Sequence, residues 1–114
     1  MKRHTFAAGD VIFREGEPSD SAYLVVSGVV EILTGHRSPR PKTVAVLGKG
    51  EYFGEMGAID DHPRSATAVA RRDVECVSVG QGEFLETLLT RPQEAIDLLK
   101  VLFERLRSAN RKLS

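Results

Sequence analysis

The sequence holds a single cysteine and carries no net charge, and each scarcity narrows the chemistry open to it. Cys76 alone cannot close an internal disulfide. It sits in the β-branched run of Val74, Val77 and Val79, where a small buried hydrophobe is a simpler reading than a reactive thiol. Sixteen Lys and Arg balance sixteen Asp and Glu. No global field therefore draws in nucleic acid or an anionic membrane, no direct nucleic-acid contact is expected, and any anion must be held by a local arrangement. Long apolar runs are missing too: none approaches the ~18 residues that span a bilayer. The opening Met1-Lys2-Arg3-His4-Thr5 leads into no signal-like stretch, so no membrane span and a reducing cytoplasm are expected.

Catalytic signatures are equally scarce. The three histidines, at 4, 36 and 62, are widely spaced, and there is no His-x-His or Cys-x-x-Cys pair to hold a metal. Asp60-Asp61-His62 reads as a solvated turn, and a cupin-type metalloenzyme would need clustered histidines. There is no Gly-x-Ser-x-Gly elbow and no Walker-type loop. Gly48, Gly50 and Gly54 miss the dinucleotide spacing, and no βαβ unit follows them. No general base or nucleophile has an evident orienting partner, so the chain is not expected to be an enzyme.

What is present is an ordinary globular composition, 41% hydrophobic and 28% charged over 114 residues, enough for one domain around one core. Turn residues recur at short intervals through the first eighty positions, at Gly9-Asp10, Glu15 to Pro18, Ser27-Gly28, Gly35 to Pro41, Gly48 to Gly50, Arg71 to Asp73 and Gly80. Between them lie strand candidates at 11–13, 23–26, 29–33, 44–47 and 74–79, the pattern of a sandwich or barrel. Gly35 to Pro41, with two prolines and three basic residues, is expected to be a solvated hairpin loop.

After Gly82 the period becomes helical. Phe84, Leu85, Leu88 and Leu89 fall on one face of a short helix that stops near Pro92. A second helix runs from about Pro92 to Lys112. Ala95, Leu99, Leu102, Leu106, Ala109 and Leu113 form a heptad-like seam along it, which packs either on the chain's own barrel or against another helix. Apolar residues on its other faces predict that the first half is buried nearly all round.

The stretch FGEMGAIDDHPRSATAVA, residues 53–70, carries the most chemistry. Gly54 permits close backbone approach, and a short helical turn from Met56 to Ile59 would present free N–H groups to an anion. Arg64 suits bidentate pairing with a phosphate, and Ser65 adds a hydroxyl beside it. Glu55 would repel a phosphate but accept hydrogen bonds from sugar hydroxyls, so the pair together describes a ribose phosphate. The small run Ala66-Thr67-Ala68 is expected to leave room for it. Spacing alone equally permits a structural salt bridge between Glu55 and Arg64.

Phe53 to Ile59 followed by Pro63-Arg64-Ser65-Ala66-Thr67 resembles the phosphate-binding cassette of the cyclic nucleotide-binding domain family. The likeness extends upstream through Gly9 to Glu17, Ser21 to Tyr23 and Ser27 to Glu31. Gly57-Ala58 departs mildly from the commoner Ala-Leu, as does Ala68 from valine. The resemblance implies a mainly β fold with flanking α-helices: an eight-stranded, jelly-roll-like β-roll (a double-stranded β-helix) with a short cassette helix and C-terminal helices. It implies a single domain over 1–114, with the roll at 1–80, the cassette at 53–68 and the helices at 82–113. In the site it implies, Glu55 accepts from the ribose 2′-hydroxyl, Arg64 pairs with the cyclic phosphate, and the Gly54, Met56 and Ala66 region supplies backbone N–H groups. Ser65 leaves the purine open and tilts it from cyclic GMP towards cyclic AMP. The C-terminal helix would be a lid, with Asn110, or by a shift of register Arg107 or Arg111, facing the base. The expected module is a non-catalytic cyclic nucleotide sensor without a further cofactor, its C-terminal helix available to a second copy or an effector domain. The alternative is an interaction module with a degenerate pocket.

Overall fold

A computed structural model describes residues 1–55 and 62–113, with the backbone alone at 102, 103 and 105–113. In chain order the strands are β1 (Lys2–Phe6), β2 (Val11–Phe13), β3 (Ser21–Ser27), β4 (Val30–Thr34), β5 (Lys42–Leu47), β6 (Tyr52–Phe53), β7 (Thr67–Ala70) and β8 (Val74–Gly80). Helices α1 (Gln81–Thr90) and α2 (Pro92–Leu113) follow. The strands form two antiparallel four-stranded sheets, ordered β1-β8-β3-β6 and β2-β7-β4-β5. This is the mainly β, jelly-roll-like β-roll with C-terminal helices that the sequence implied; the cassette helix of that expectation falls at 56–61, outside the described residues.

Strand alternation decides what each sheet buries. On β3, Tyr23 and Val25 face the interior, while Ala22 turns towards the helices; on β8, Val74 and Cys76 point in, and Val79 points out. The inward residues of both sheets meet in one core that includes Phe13, Val25, Val30, Leu47, Phe53, Ala68, Ala70 and Cys76. Each large side chain buried there contributes about 1.5–3 kcal/mol. A second, smaller cluster of Ala22, Phe84 and Leu98 fastens both helices to the outside of the first sheet.

Three strands were not legible in the sequence. β1 is a charged segment that becomes a strand by pairing with β8, from Lys2 opposite Ser78 to Phe6 opposite Val74. β6 is only two residues, and β7 lay hidden in the small-residue run. Ala68 and Ala70 are wholly buried in the core. The predicted burial of α2 is also corrected. Among the described side chains of its first half Leu98 alone is buried, while Ile96 and Val101 are exposed and Leu99 of the seam is 49% exposed. One stripe of α2 suffices to cover Phe84 and Ala22; of the seam's described side chains, Leu99 is exposed and Ala95 half-buried.

Candidate functional site

The cassette's two ends converge on Arg64. Its backbone is clamped to the β2–β3 turn: its N–H donates to the Glu17 carbonyl and its carbonyl accepts from the Gly16 N–H, both at 2.8 Å. The side chain thus enters the roll from a fixed point. It is only 7% exposed, and its Nη1 donates to the Gly54 carbonyl at 2.8 Å. The guanidinium lies over the Phe13 ring, 4.1 Å from its centroid, and 5.7 Å from that of Tyr23. Phe53 completes the platform, stacked on Tyr23 at 5.1 Å and on Phe13 at 5.8 Å. A cation desolvated against aromatic faces gains from each ring.

Arg64 is nevertheless incompletely satisfied. Its Nε is buried without a hydrogen-bond partner among the described residues. Burial, the largest influence, pulls the guanidinium's pKa below its ordinary value, against the opposing pull of Tyr23, Asp20, Glu17 and Glu55. Surrounding charge therefore does not make up for lost water, and an added anion would gain what the protein leaves unpaired.

Gly54 is required by this approach. Its φ of +71° is left-handed, and a Cβ there would stand 2.4 Å from Arg64 Nη1 and 3.2 Å from Phe13 Cε2. Glu55 follows directly and is 3% exposed. Gly54 and Arg64 are thus in direct contact at the end of β6, with Glu55 close enough to act on the Arg64 charge, while Ala66 is buried at the approach to β7. Ser65 lies between two buried residues and is itself exposed. Met56 falls outside the described residues, and of Asn110 only its helical backbone in α2 is described. The chemistry available here is recognition: a buried cation, a buried carboxylate and a glycine-lined approach.

Sequence reasoning missed Phe13 and Tyr23, treating both strands as core alone. Their inward phase on β2 and β3, shared with Phe53, was readable from alternation, but the meeting of three strands over one arginine was not. The Glu15 to Pro18 turn was read as a turn, but not that its Gly16 and Glu17 hold Arg64 through the main chain. A main-chain contact leaves no signal in residue type.

The family model described as "Cyclic nucleotide-binding domain" matches residues 3–91. The chain is 37% identical over 113 residues to the cyclic AMP receptor protein of Thermus thermophilus, covering 99% of this chain and 52% of that protein. It is 35% identical over 111 residues to the CRP-like cAMP-activated global transcriptional regulator of Mycobacterium tuberculosis, covering 96% of this chain and 49% of that one. A crystal structure of the Thermus thermophilus catabolite activator protein superimposes with a TM-score of 0.85 at 37% identity, covering 98% of this chain and 53% of the other. The chain spans about half the length of the curated relatives it matches. On the family model and the full-length likeness together, the chain belongs to the cyclic nucleotide-binding domain family.

Proposed function

We propose that this chain is a non-catalytic sensor module that binds cyclic AMP. The single observation that carries the reading is Arg64: a buried guanidinium over aromatic rings, with an unpartnered Nε, at the position where the cassette resemblance puts the phosphate-binding arginine. In this reading a cyclic phosphate completes Arg64's hydrogen bonds, and Glu55 accepts from the ribose 2′-hydroxyl. Backbone N–H groups near Gly54, Met56 and Ala66 surround the phosphate, with the Ser65 hydroxyl beside them. The likeness to a cyclic AMP receptor and to a cAMP-activated regulator favours adenine over guanine.

Residues 1–114 would work as one unit: the roll holds the ligand, and the C-terminal helices report it. α2 would close over the purine, bringing Asn110 or a neighbour to the base. The ligand shifts the helix's position only to the extent that it binds one position more tightly than the other. The exposed Ile96, Leu99 and Val101 give α2 an apolar face to offer a second copy or an effector domain.

The test is calorimetric titration with cyclic AMP, cyclic GMP and 2′-deoxy cyclic AMP. Saturable binding is expected, strongest for cyclic AMP. Deleting the 2′-hydroxyl should weaken binding about tenfold in the parent chain and have little further effect in Glu55→Ala, because the two changes remove one hydrogen bond to a charged group. No response to any of the three ligands would favour the degenerate-pocket reading. Additive losses would remove Glu55 from the ribose.

A further inference from the structure

A second concentration of positive charge lies away from the Arg64 platform. A cavity of about 320 Å³ opens where the β2–β3 turn, the β4–β5 hairpin and the start of β7 meet. Arg14, His36 and Arg37 line it, with Glu15 the one carboxylate and Thr67 contributing a hydroxyl. Arg14 and Arg37 are both exposed at the rim of the cavity, and among the described residues the ion pairs Arg3–Glu75, Arg71–Glu31 and Arg91–Glu94 involve other arginines. Glu15 is occupied in holding the wall, its Oε1 accepting from the Gly35 N–H at 3.3 Å. His36 also faces Glu31, whose carboxyl its charge helps to hold below the usual range, after the stronger effects of Thr43 and Arg71.

The walls are braced without a ligand. On the hairpin, Gly35 takes a φ of +63°, and its carbonyl accepts from both the Ser38 N–H at 2.9 Å and the Ser38 hydroxyl at 2.7 Å. Across the cavity the Glu17 N–H donates to the Arg14 carbonyl at 3.1 Å, and the Glu15 N–H donates to Thr67 Oγ1 at 3.1 Å. A braced cavity loses less conformational freedom on binding than a loose loop would. Arg64 does not line it, although the same turn holds Arg64's backbone.

We propose that this cavity is a second anion site, which takes a small phosphoryl-bearing ligand between Arg14 and Arg37. Two forked guanidinium groups suit the several oxygens of a phosphoryl group better than a lone carboxylate or a halide. The site is separate from the cyclic nucleotide pocket and stands whether or not that pocket binds cyclic AMP.

The experiment is amide NMR on the whole chain, titrated at constant ionic strength with inorganic phosphate, pyrophosphate and adenosine diphosphate. One series is saturated with cyclic AMP, and a second uses Arg64→Leu without it, so that the inner cation cannot account for the signal. Saturable shifts at residues 14–16 and 35–38 are expected in both series. They should weaken about tenfold or more in Arg14→Gln/Arg37→Gln, with the remaining spectrum unchanged, because two charge-assisted contacts are lost. Tighter binding of adenosine diphosphate than of pyrophosphate would support the site and assign it to a nucleotide; equal binding would support it with the phosphoryl groups alone as the determinant. Shifts that grow linearly without saturating would overturn the proposal. So would saturable shifts with the same midpoint in the double variant, or shifts that vanish in Arg64→Leu.

Discussion

Replacing Arg64 with leucine separates binding from folding in a way few other substitutions would. In the free chain the change removes the cation–π contact at 4.1 Å and the donor to the Gly54 carbonyl at 2.8 Å, a loss of about 1–3 kcal/mol. It also removes a desolvated charge and the unpartnered Nε, and replacing such a group with an apolar side chain of similar bulk is commonly neutral or stabilising. The two nearly cancel, so the melting temperature should move by only a few degrees. With ligand present nothing cancels: the phosphate would be buried with no paired cation. That loss is worth ~3 kcal/mol or more, a rise in Kd of over about a hundredfold. Arg64→Lys keeps the charge but not the planar fork and should fall between the two. Calorimetry with cyclic AMP on the three proteins measures the difference. A folded Arg64→Leu chain that binds cyclic AMP within about threefold of the parent would refute the placement of the phosphate at Arg64.

Two further outcomes follow from the same geometry. Gly54→Ala puts a Cβ 2.4 Å from Arg64 Nη1 on a left-handed backbone, so it should destabilise the chain by about 1–3 kcal/mol and displace the guanidinium. Thermal unfolding and cyclic AMP titration should both register the change, and an unaltered melting temperature would contradict the close approach. Burial, with a smaller contribution from Glu75, pushes the Cys76 thiol from an ordinary 9.0 up to about 11. The folded pKa is raised, so the thiol's contribution to stability is whole below pH 9 and is lost between about pH 9 and 11, as the unfolded chain ionises first. The loss is about 3 kcal/mol. Stability of the parent should therefore fall more steeply over that window than stability of Cys76→Ala, as measured by denaturant unfolding at each pH; parallel curves would show that Cys76 is not sealed.

Legibility varied with how local the cause was. Val11 to Phe13, Val29 to Leu33 and Val74 to Val79 read as strands because β-branched residues alternate between turn signals, and both helices read as helices because their period changes at Gly82 and breaks at Pro92. β1 did not, because Lys2 to Phe6 has no strand signal of its own and is held by β8. The burial of α2 was overestimated from its apolar content. Periodicity says that a stripe exists, but which stripe meets Phe84 depends on the angle at which the helix leaves Pro92.

By itself, then, the sequence determined the class of the fold, the lack of metal and catalytic motifs, and the pairing of an acid with an arginine across a short insert. It could not decide between a salt bridge and a ligand clamp, because spacing in the chain carries no information about what surrounds a side chain. Tertiary structure decided that Arg64 is buried over Phe13 and Tyr23, held through main-chain bonds to Gly16 and Glu17 and short of one hydrogen bond. The desolvation of Arg64 comes from three strands meeting, which no single stretch of residues specifies.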